Sequence, residues 1–310
     1  MSVLEEFKKE FRPLLAKTGQ TFYDRAEGMI CHYTSSNGLL GILQSQSLWF
    51  TELSGLNDST EGTYIWDIVK ECLANNYDED FNAAIMALEE DQYKLPDNTE
   101  GEVKPKLYFI CSFSESSDSL SMWNYYTKSV NSVGYNICFD KQKLLKKVEK
   151  DCPDFEVKLF KVLYDVNKQK ELISTQLNII YKHWKRLWSR DRAVLLEYFK
   201  VSIEFSKVGF KHPSFVNEQE VRLVIELDGD QFLDNLSKKP SQKEVKLRIV
   251  NNEFVPYIEA AFKSLNAIQR ITASPIIKDK EAVDSLILLL YKYGCYDTCE
   301  VCSSNIPLRF

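Results

Sequence analysis

The chain has 310 residues, with 45 acidic and 39 basic side chains and three histidines, for a formal charge of −6. No whole-chain basic field is available to gather nucleic acid, and a hydrophobic fraction of 44% with only 9 Pro and 11 Gly excludes a disordered or fibrous protein. The longest apolar run, residues 286–290, is far too short to cross a bilayer, and the first seven residues lack the basic-then-apolar order of a signal peptide. A cytoplasmic protein with no membrane contact is therefore expected. Its 8 scattered cysteines fit that compartment as reduced, packed thiols, and disulfides are not expected.

No repeat, low-complexity tract or Pro- or Gly-rich linker divides the chain, so a single domain over residues 1–310 is the simplest organisation. Residues 1–28 form an N-terminal helical extension, whose Leu4, Phe7, Phe11, Leu14 and Leu15 recur at helical spacing. A short strand at 29–33 is followed by Ser35, Ser36 and Asn37 as a cap and by a helix at 38–43. A second strand spans 48–51, a turn follows at 55–58, and helices run over about 59–75 and 81–90. Strands are expected at 107–113 and 134–139, separated by a helix at 119–126 that residues 116–118 cap. A long helical stretch, about 165–207, reads as an insertion rather than a separate domain. Strands at 220–227, 245–250, 268–273 and 298–303, with a helix at 281–293, complete the chain. Strands and helices mix without a βαβ rhythm and no phosphate-binding glycine loop is present, so the class is α+β, a mixed and mainly antiparallel sheet with flanking helices.

Three groups of residues could carry chemistry. His32 lies on the first strand beside a cap, in His32-Tyr33-Thr34. There one ring nitrogen can hold a ligand hydroxyl while the other is fixed by backbone; the plainer reading is a satisfied core histidine, and His183 looks structural. Glu218, Glu220 and Arg222 fall on one face of a strand that begins near Glu218. Paired carboxylates raise each other's pKa and Arg lowers it, which allows one Glu to remain ionised as a base or hydroxyl acceptor; a solvated strand face is the commoner outcome for such a string. Ser112 and Ser114 precede a polar turn and a helix bearing Trp123, Tyr125 and Tyr126. These aromatics could stack on a flat ring, although an aromatic stripe at helical spacing is more often core. Asn57, Asp58 and Glu61 could line the same cleft.

Cys295, Cys299 and Cys302 have the spacing of a cluster-binding loop but no evident fourth ligand, so packed thiols and no metal are expected. Lys182, Lys185, Arg186, Arg190 and Arg192 cluster in the helical insertion, as a basic patch or a solvated helix face.

Taken together, His32-Tyr33-Thr34 with Leu39-Leu40-x-Ile42-Leu43, Leu48-Trp49-x-Thr51 and Leu56-Asn57-Asp58-x-x-Glu61 resemble the opening of the bacterial DUF2971 family, a domain of unknown function. Cys111-Ser112-Phe113-Ser114, Met122-Trp123-x-x-Tyr126, residues 134–139, Lys211 with Phe215, Glu218-x-Glu220-x-Arg222 and Ser304-x-x-Pro307-x-Arg309 follow in that family's order. A weaker resemblance links the His32 strand and its following helix to ADP-ribosyltransferases, especially toxins that modify nucleic acid bases.

That second resemblance implies an ADP-ribosyltransferase-like core and NAD as substrate, with no metal. It implies that His32, with Tyr33 and Thr34, binds the adenosine-side ribose, that Trp123 or Tyr126 stacks on nicotinamide, and that Asn57, Ser112 and Ser114 line the cofactor site. Glu220, or less favourably Glu218, with Arg222 would form the catalytic group that stabilises an oxocarbenium-like ribose. The expected protein cleaves the nicotinamide–ribose bond and transfers ADP-ribose to a nucleic acid or protein acceptor, as a toxin or phage-defence effector with a possible antitoxin or defence partner protein. Hydrolysis of NAD or of ADP-ribose by water would share the cleft and differ only in acceptor. The alternative is a non-catalytic nucleotide- or partner-binding module of a defence system.

Overall fold

The computed structural model describes the chain except residues 1, 25, 57–62, 75, 92–105, 127–133, 230–231, 233–234, 236–242, 251, 278–279 and 308–310. Its elements in chain order are α1 (Val3–Phe22), β1 (Met29–Ser35), α2 (Ser36–Ser45), β2 (Ser47–Glu52), α3 (Tyr64–Leu73), α4 (Glu79–Asp91), β3 (Lys106–Ser114), α5 (Leu120–Tyr126) and β4 (Gly134–Asp140). There follow α6 (Lys141–Asp151), β5 (Glu156–Lys161), α7 (Val166–Trp184), α8 (Ser189–Gly209), a 3-10 turn (Pro213–Glu218), β6 (Glu220–Asp228), β7 (Val245–Val250), β8 (Glu253–Ala261), β9 (Ile268–Ala273), α9 (Lys280–Tyr293) and β10 (Glu300–Ser303).

The strands form one sheet in the order β10-β9-β4-β1-β3-β2-β8-β7, with β6 on the other edge of β3 and β5 beyond it. The described pairs are antiparallel except β9 with β10. This is the α+β class expected, with a mainly antiparallel sheet. Three elements were not read from the sequence: α6, β5 and β8. Two of them are short and charge-rich, and their apolar positions, Leu144 and Val148 in α6 and Val157, Leu159 and Phe160 in β5, acquire meaning only against the sheet.

Helices cover both faces. On one, Leu39 and Leu43 of α2, Leu144 and Val148 of α6, and Leu286 and Leu290 of α9 pack on Phe113, Phe139 and Leu223 of the strands. On the other, α1, α3, α4, α7 and α8 close over Tyr108, Ile110, Phe160 and Val224. The N-terminal extension is part of this second core, since Phe7 of α1 meets Tyr198 of α8 edge-on at 5.4 Å and Phe22 lies 6.4 Å from Phe160. With both faces covered, β6 is buried over all its length up to Leu227, polar residues included. Glu220, Arg222 and Glu226 are thus not a solvated strand face, and each needs a partner. Lys106 and Lys158 donate to Glu226 at 2.7 and 3.1 Å.

One expectation is corrected. Cys31 and Cys138 oppose each other across β1 and β4, with Cα atoms 4.0 Å apart, and are joined by a disulfide. Direct opposition on antiparallel strands brings side chains together whatever their distance in the chain, and here 107 residues intervene. The other six cysteines are free thiols. No helix among the described residues is long and apolar enough to cross a membrane.

Gly209 ends α8 against Phe22, and a Cβ there would stand 2.3 Å from the Phe22 ring. That ring is fully buried and packs against Phe205 and Phe210. Gly209→Ala is expected to lower stability by about 1–3 kcal/mol through overpacking. Gly41→Ala in α2 meets nothing within 4 Å and should gain up to about 1 kcal/mol in helix propensity. Urea unfolding of the two variants checks both signs.

Candidate functional site

A strand has two hydrogen-bonding edges, and β3 gives one of them wholly to β6, from Lys106 opposite Asp228 to Ser114 opposite Glu220. Its other edge meets β2 at Phe109 and Ile110 and β1 at Ser114. Between those contacts β1 and β2 diverge, and the edge at Cys111–Phe113 opens into a cleft of about 890 Å³. That size suits a ligand as large as a nucleotide. His32, Tyr33 and Thr34 form one wall, Trp49 and Thr51 the opposite one, and Lys211, Glu218 and Glu220 also line the cleft.

His32 bridges the gap. Its Nδ1 lies 3.0 Å from the Ser112 carbonyl, which can only accept, so Nδ1 carries the proton and Nε2 of the neutral ring is an acceptor. Burial pushes its pKa below the ordinary histidine value, against the Ser112 bond, which raises it. The ring is therefore neutral near pH 7, and its Nε2 is able to accept a hydrogen bond from a hydroxyl.

Glu218 and Glu220 converge for a local reason. Pro213 opens the 3-10 turn, the His212 side chain accepts from the Ser214 N–H at 3.2 Å, and Gln219 takes a left-handed conformation at φ 44° before β6 begins. That turn departs from the uniform strand expected from Glu218 onward, and it still brings both carboxylates to one cation. Lys211 donates to Glu218 at 2.7 Å and to Glu220 at 3.0 Å. Arg222, fully buried on the same face of β6, grips Glu220 through Nε at 2.9 Å and Nη2 at 3.0 Å, and gives Nη1 to the Val208 carbonyl at 2.9 Å. Burial alone would raise the Glu220 pKa. The charges of Arg222 and Lys211 outweigh it, with hydrogen bonds from Arg222 and the Ser112 hydroxyl, and hold the group at about 2. Glu220 is thus an ionised hydroxyl acceptor and a weak base. Arg222 lies behind it, outside the cleft lining, and fixes its orientation.

The remaining expected residues divide. Thr34, Ser112 and Tyr126 reach the cleft. Tyr33 lines it too, but its hydroxyl is committed, donating to the Ser116 carbonyl and accepting from the Ser119 N–H, both at 3.0 Å; burial pushes that phenol up to about 12. Ser114 gives its hydroxyl to the Glu218 carbonyl at 2.6 Å and supports the turn. Trp123 is buried, edge-on to Tyr33 at 4.7 Å, with its indole N–H on Asp118 at 2.7 Å, so of the two aromatics Tyr126 is the one that faces the cleft. Asp118 also holds Ser304 and Asn305, which ties the C-terminal segment under α5. Asn57, Asp58 and Glu61 lie outside the described residues.

Several contributors were not assigned a role from sequence. Lys211 was legible only as a motif member, and Arg248 of β7 and Glu259 of β8 carry no local signal, because their strands enter the cleft through pairing with β2. The basic cluster of the helical insertion is a paired helix surface: Lys182 meets Glu10, Arg186 meets Glu6 and Arg192 meets Asp80. Cys295 and Cys299 are buried, and among the described residues no group of three His, Cys, Asp or Glu is placed to hold a metal ion.

A family model described as a protein of unknown function, DUF2971, matches residues 122–223. The resemblance read from the motifs is shown over this stretch, about a third of the chain, which runs from α5 into β6 and contains Lys211, Glu218, Glu220 and Arg222. No curated protein and no solved structure matches the chain.

The charge balance of this centre sets a pH signature. Because the fold depresses the Glu220 pKa from 4.5 to about 2, the unfolded chain takes up the proton first as pH falls. The associated stability is complete above about pH 4.5 and is lost as pH falls toward 2. Glu220→Gln should be less stable than wild type at neutral pH, since Arg222 and Lys211 lose a buried counter-charge, and the gap should narrow between pH 5 and 3. Urea midpoints for both proteins across that range check the sign. An unchanged gap would remove Glu220 from the acid-labile groups.

Proposed function

We propose that the cleft binds NAD and cleaves its nicotinamide–ribose bond, transferring ADP-ribose to a macromolecular acceptor. The observation that carries this reading is the ionised, buried Glu220 held rigidly at the cleft, with a neutral His32 hydrogen-bonded to the same stretch of β3. In such a reaction the C1′–N bond breaks, nicotinamide leaves with the bonding pair, and positive charge develops on the ribose. A fixed carboxylate stabilises that charge, and it accepts a ribose hydroxyl in place of the Ser112 hydroxyl at the cleft. The nucleophile of the acceptor then bonds to C1′ and releases its proton to solvent, because a carboxyl with a pKa near 2 does not retain it. His32 Nε2 is suited to accept a second ribose hydroxyl, and Tyr126 offers a ring to nicotinamide.

A binding module without turnover is the second reading. It is favoured by the same geometry seen from the other side: Arg222 and Lys211 already occupy both Glu220 oxygens and offset much of its charge. The two readings separate in one assay. Wild type, Glu220→Gln and His32→Gln are incubated with NAD, alone and with nucleic acid or lysate protein, and free nicotinamide is followed by chromatography. The transferase reading expects release by wild type and a fall of about 100-fold or more in Glu220→Gln. Absence of release under every condition, with no NAD binding by wild type, overturns it.

A further inference from the structure

Arg248 is the charged group of the cleft that the carboxylate centre leaves out of account. It sits on β7, an edge strand that reaches the cleft through β8 and β2. Its Nη2 donates to the Thr51 hydroxyl at 2.6 Å, while its Nε is shielded from water with no acceptor. Among the described residues no carboxylate lies within ion-pair distance of it. Glu259, which lines the same cleft, is taken by Lys246 at 2.8 Å and by the Ser47 hydroxyl at 2.7 Å. Lys211, the other described cation of the lining, is bound by Glu218 and Glu220. A half-buried guanidinium that faces a cleft with no counter-charge among the described residues is costly unless an anion completes it.

The surroundings define that anion. Thr51 accepts from Arg248, so its own O–H is available to donate to the same oxygen that the guanidinium would bind. Trp49 stands beside them, 49% exposed, with its ring 4.9 Å from Tyr257 and 5.4 Å from the Arg248 guanidinium. The remaining Nη hydrogens of the guanidinium and a neighbouring hydroxyl suit a tetrahedral oxyanion, and the half-exposed indole suits the edge or face of a flat ring.

We propose that Arg248, Thr51 and Trp49 form a subsite for a phosphate ester that carries an aromatic base. The subsite deepens the nucleotide reading of this cleft, but it makes no use of Glu220 and stands or falls separately from bond cleavage. The phosphate can belong to a free nucleotide or to the backbone of a short single strand, and the shared chemistry is the same.

The test is equilibrium binding of the full chain to ADP, to adenosine and to a short single-stranded oligonucleotide, at two salt concentrations. Wild type should prefer ADP or the oligonucleotide over adenosine by about ten- to a hundredfold, with the preference weakened by salt. Arg248→Gln should abolish that preference and leave adenosine binding intact. Arg248→Lys, which retains charge without the fork, should restore part of it, and Trp49→Ala should weaken adenosine and ADP together. A preference for ADP identifies a nucleotide source and a preference for the oligonucleotide alone identifies a backbone phosphate. Equal affinity for ADP and adenosine, no binding of any of the three, or an unaltered preference in a folded Arg248→Gln protein would overturn the subsite. The binding readout requires no bond cleavage, so absence of NAD cleavage and loss of this subsite are distinguishable.

Discussion

The central constraint is that β3 cannot pair with three strands along its whole length. With β6 on one edge throughout, β1 and β2 must divide the other edge between them, one at each end. Their divergence leaves the backbone edge of Cys111–Phe113 on that side facing a cleft instead of a neighbouring strand. His32 fills part of that deficit by donating to the Ser112 carbonyl, a bond that the missing ladder would otherwise have made. The cleft is thus a product of sheet topology, and the residues around it are those that lie where the ladder is interrupted.

Burial of β6 on both faces is the second constraint. Once α8 covers the polar face of that strand, Glu220 and Arg222 can be tolerated only as partners, and Lys211 with Glu218 extends the pair to two cations against two carboxylates. Such a buried network contributes little net stability compared with apolar residues of the same size, but breaking it leaves an uncompensated charge at a cost of about 3–5 kcal/mol. Its consequence is geometric: the carboxylate of Glu220 is held in one orientation and is ionised at neutral pH. Arg248 is the contrast. It shares the cleft and lacks such a counter-charge among the described residues, so the two ends of the site present opposite electrostatic demands.

Much of the architecture was legible because it is local. Helix α2 announces itself through the Ser35 cap and Leu39 and Leu43, and β3 through its run of apolar and aromatic residues. His32 stood out on its apolar strand, Ser112 where a strand runs into a polar turn, and Glu218 and Glu220 as alternating carboxylates beside Arg222, and all of these but Arg222 line the cleft. What escaped was non-local. The Cys31–Cys138 disulfide depends on β1 and β4 meeting in one register. The positioning part of Arg222, the removal of Trp123 from the cleft and the arrival of Arg248 each depend on what packs behind or beside the strand.

The sequence by itself determined the periodic elements, the α+β class and the residue types available for chemistry, because caps, apolar spacing and strand alternation act within a few residues of each other. Only the tertiary structure decided which of those residues share a cavity and which are paired. Pairing across a sheet and burial under a helix join positions far apart in the chain: they set Arg222 and Lys211 against Glu220, whose charges keep it ionised despite its burial, and they half-bury Arg248 with no counter-charge among the described residues.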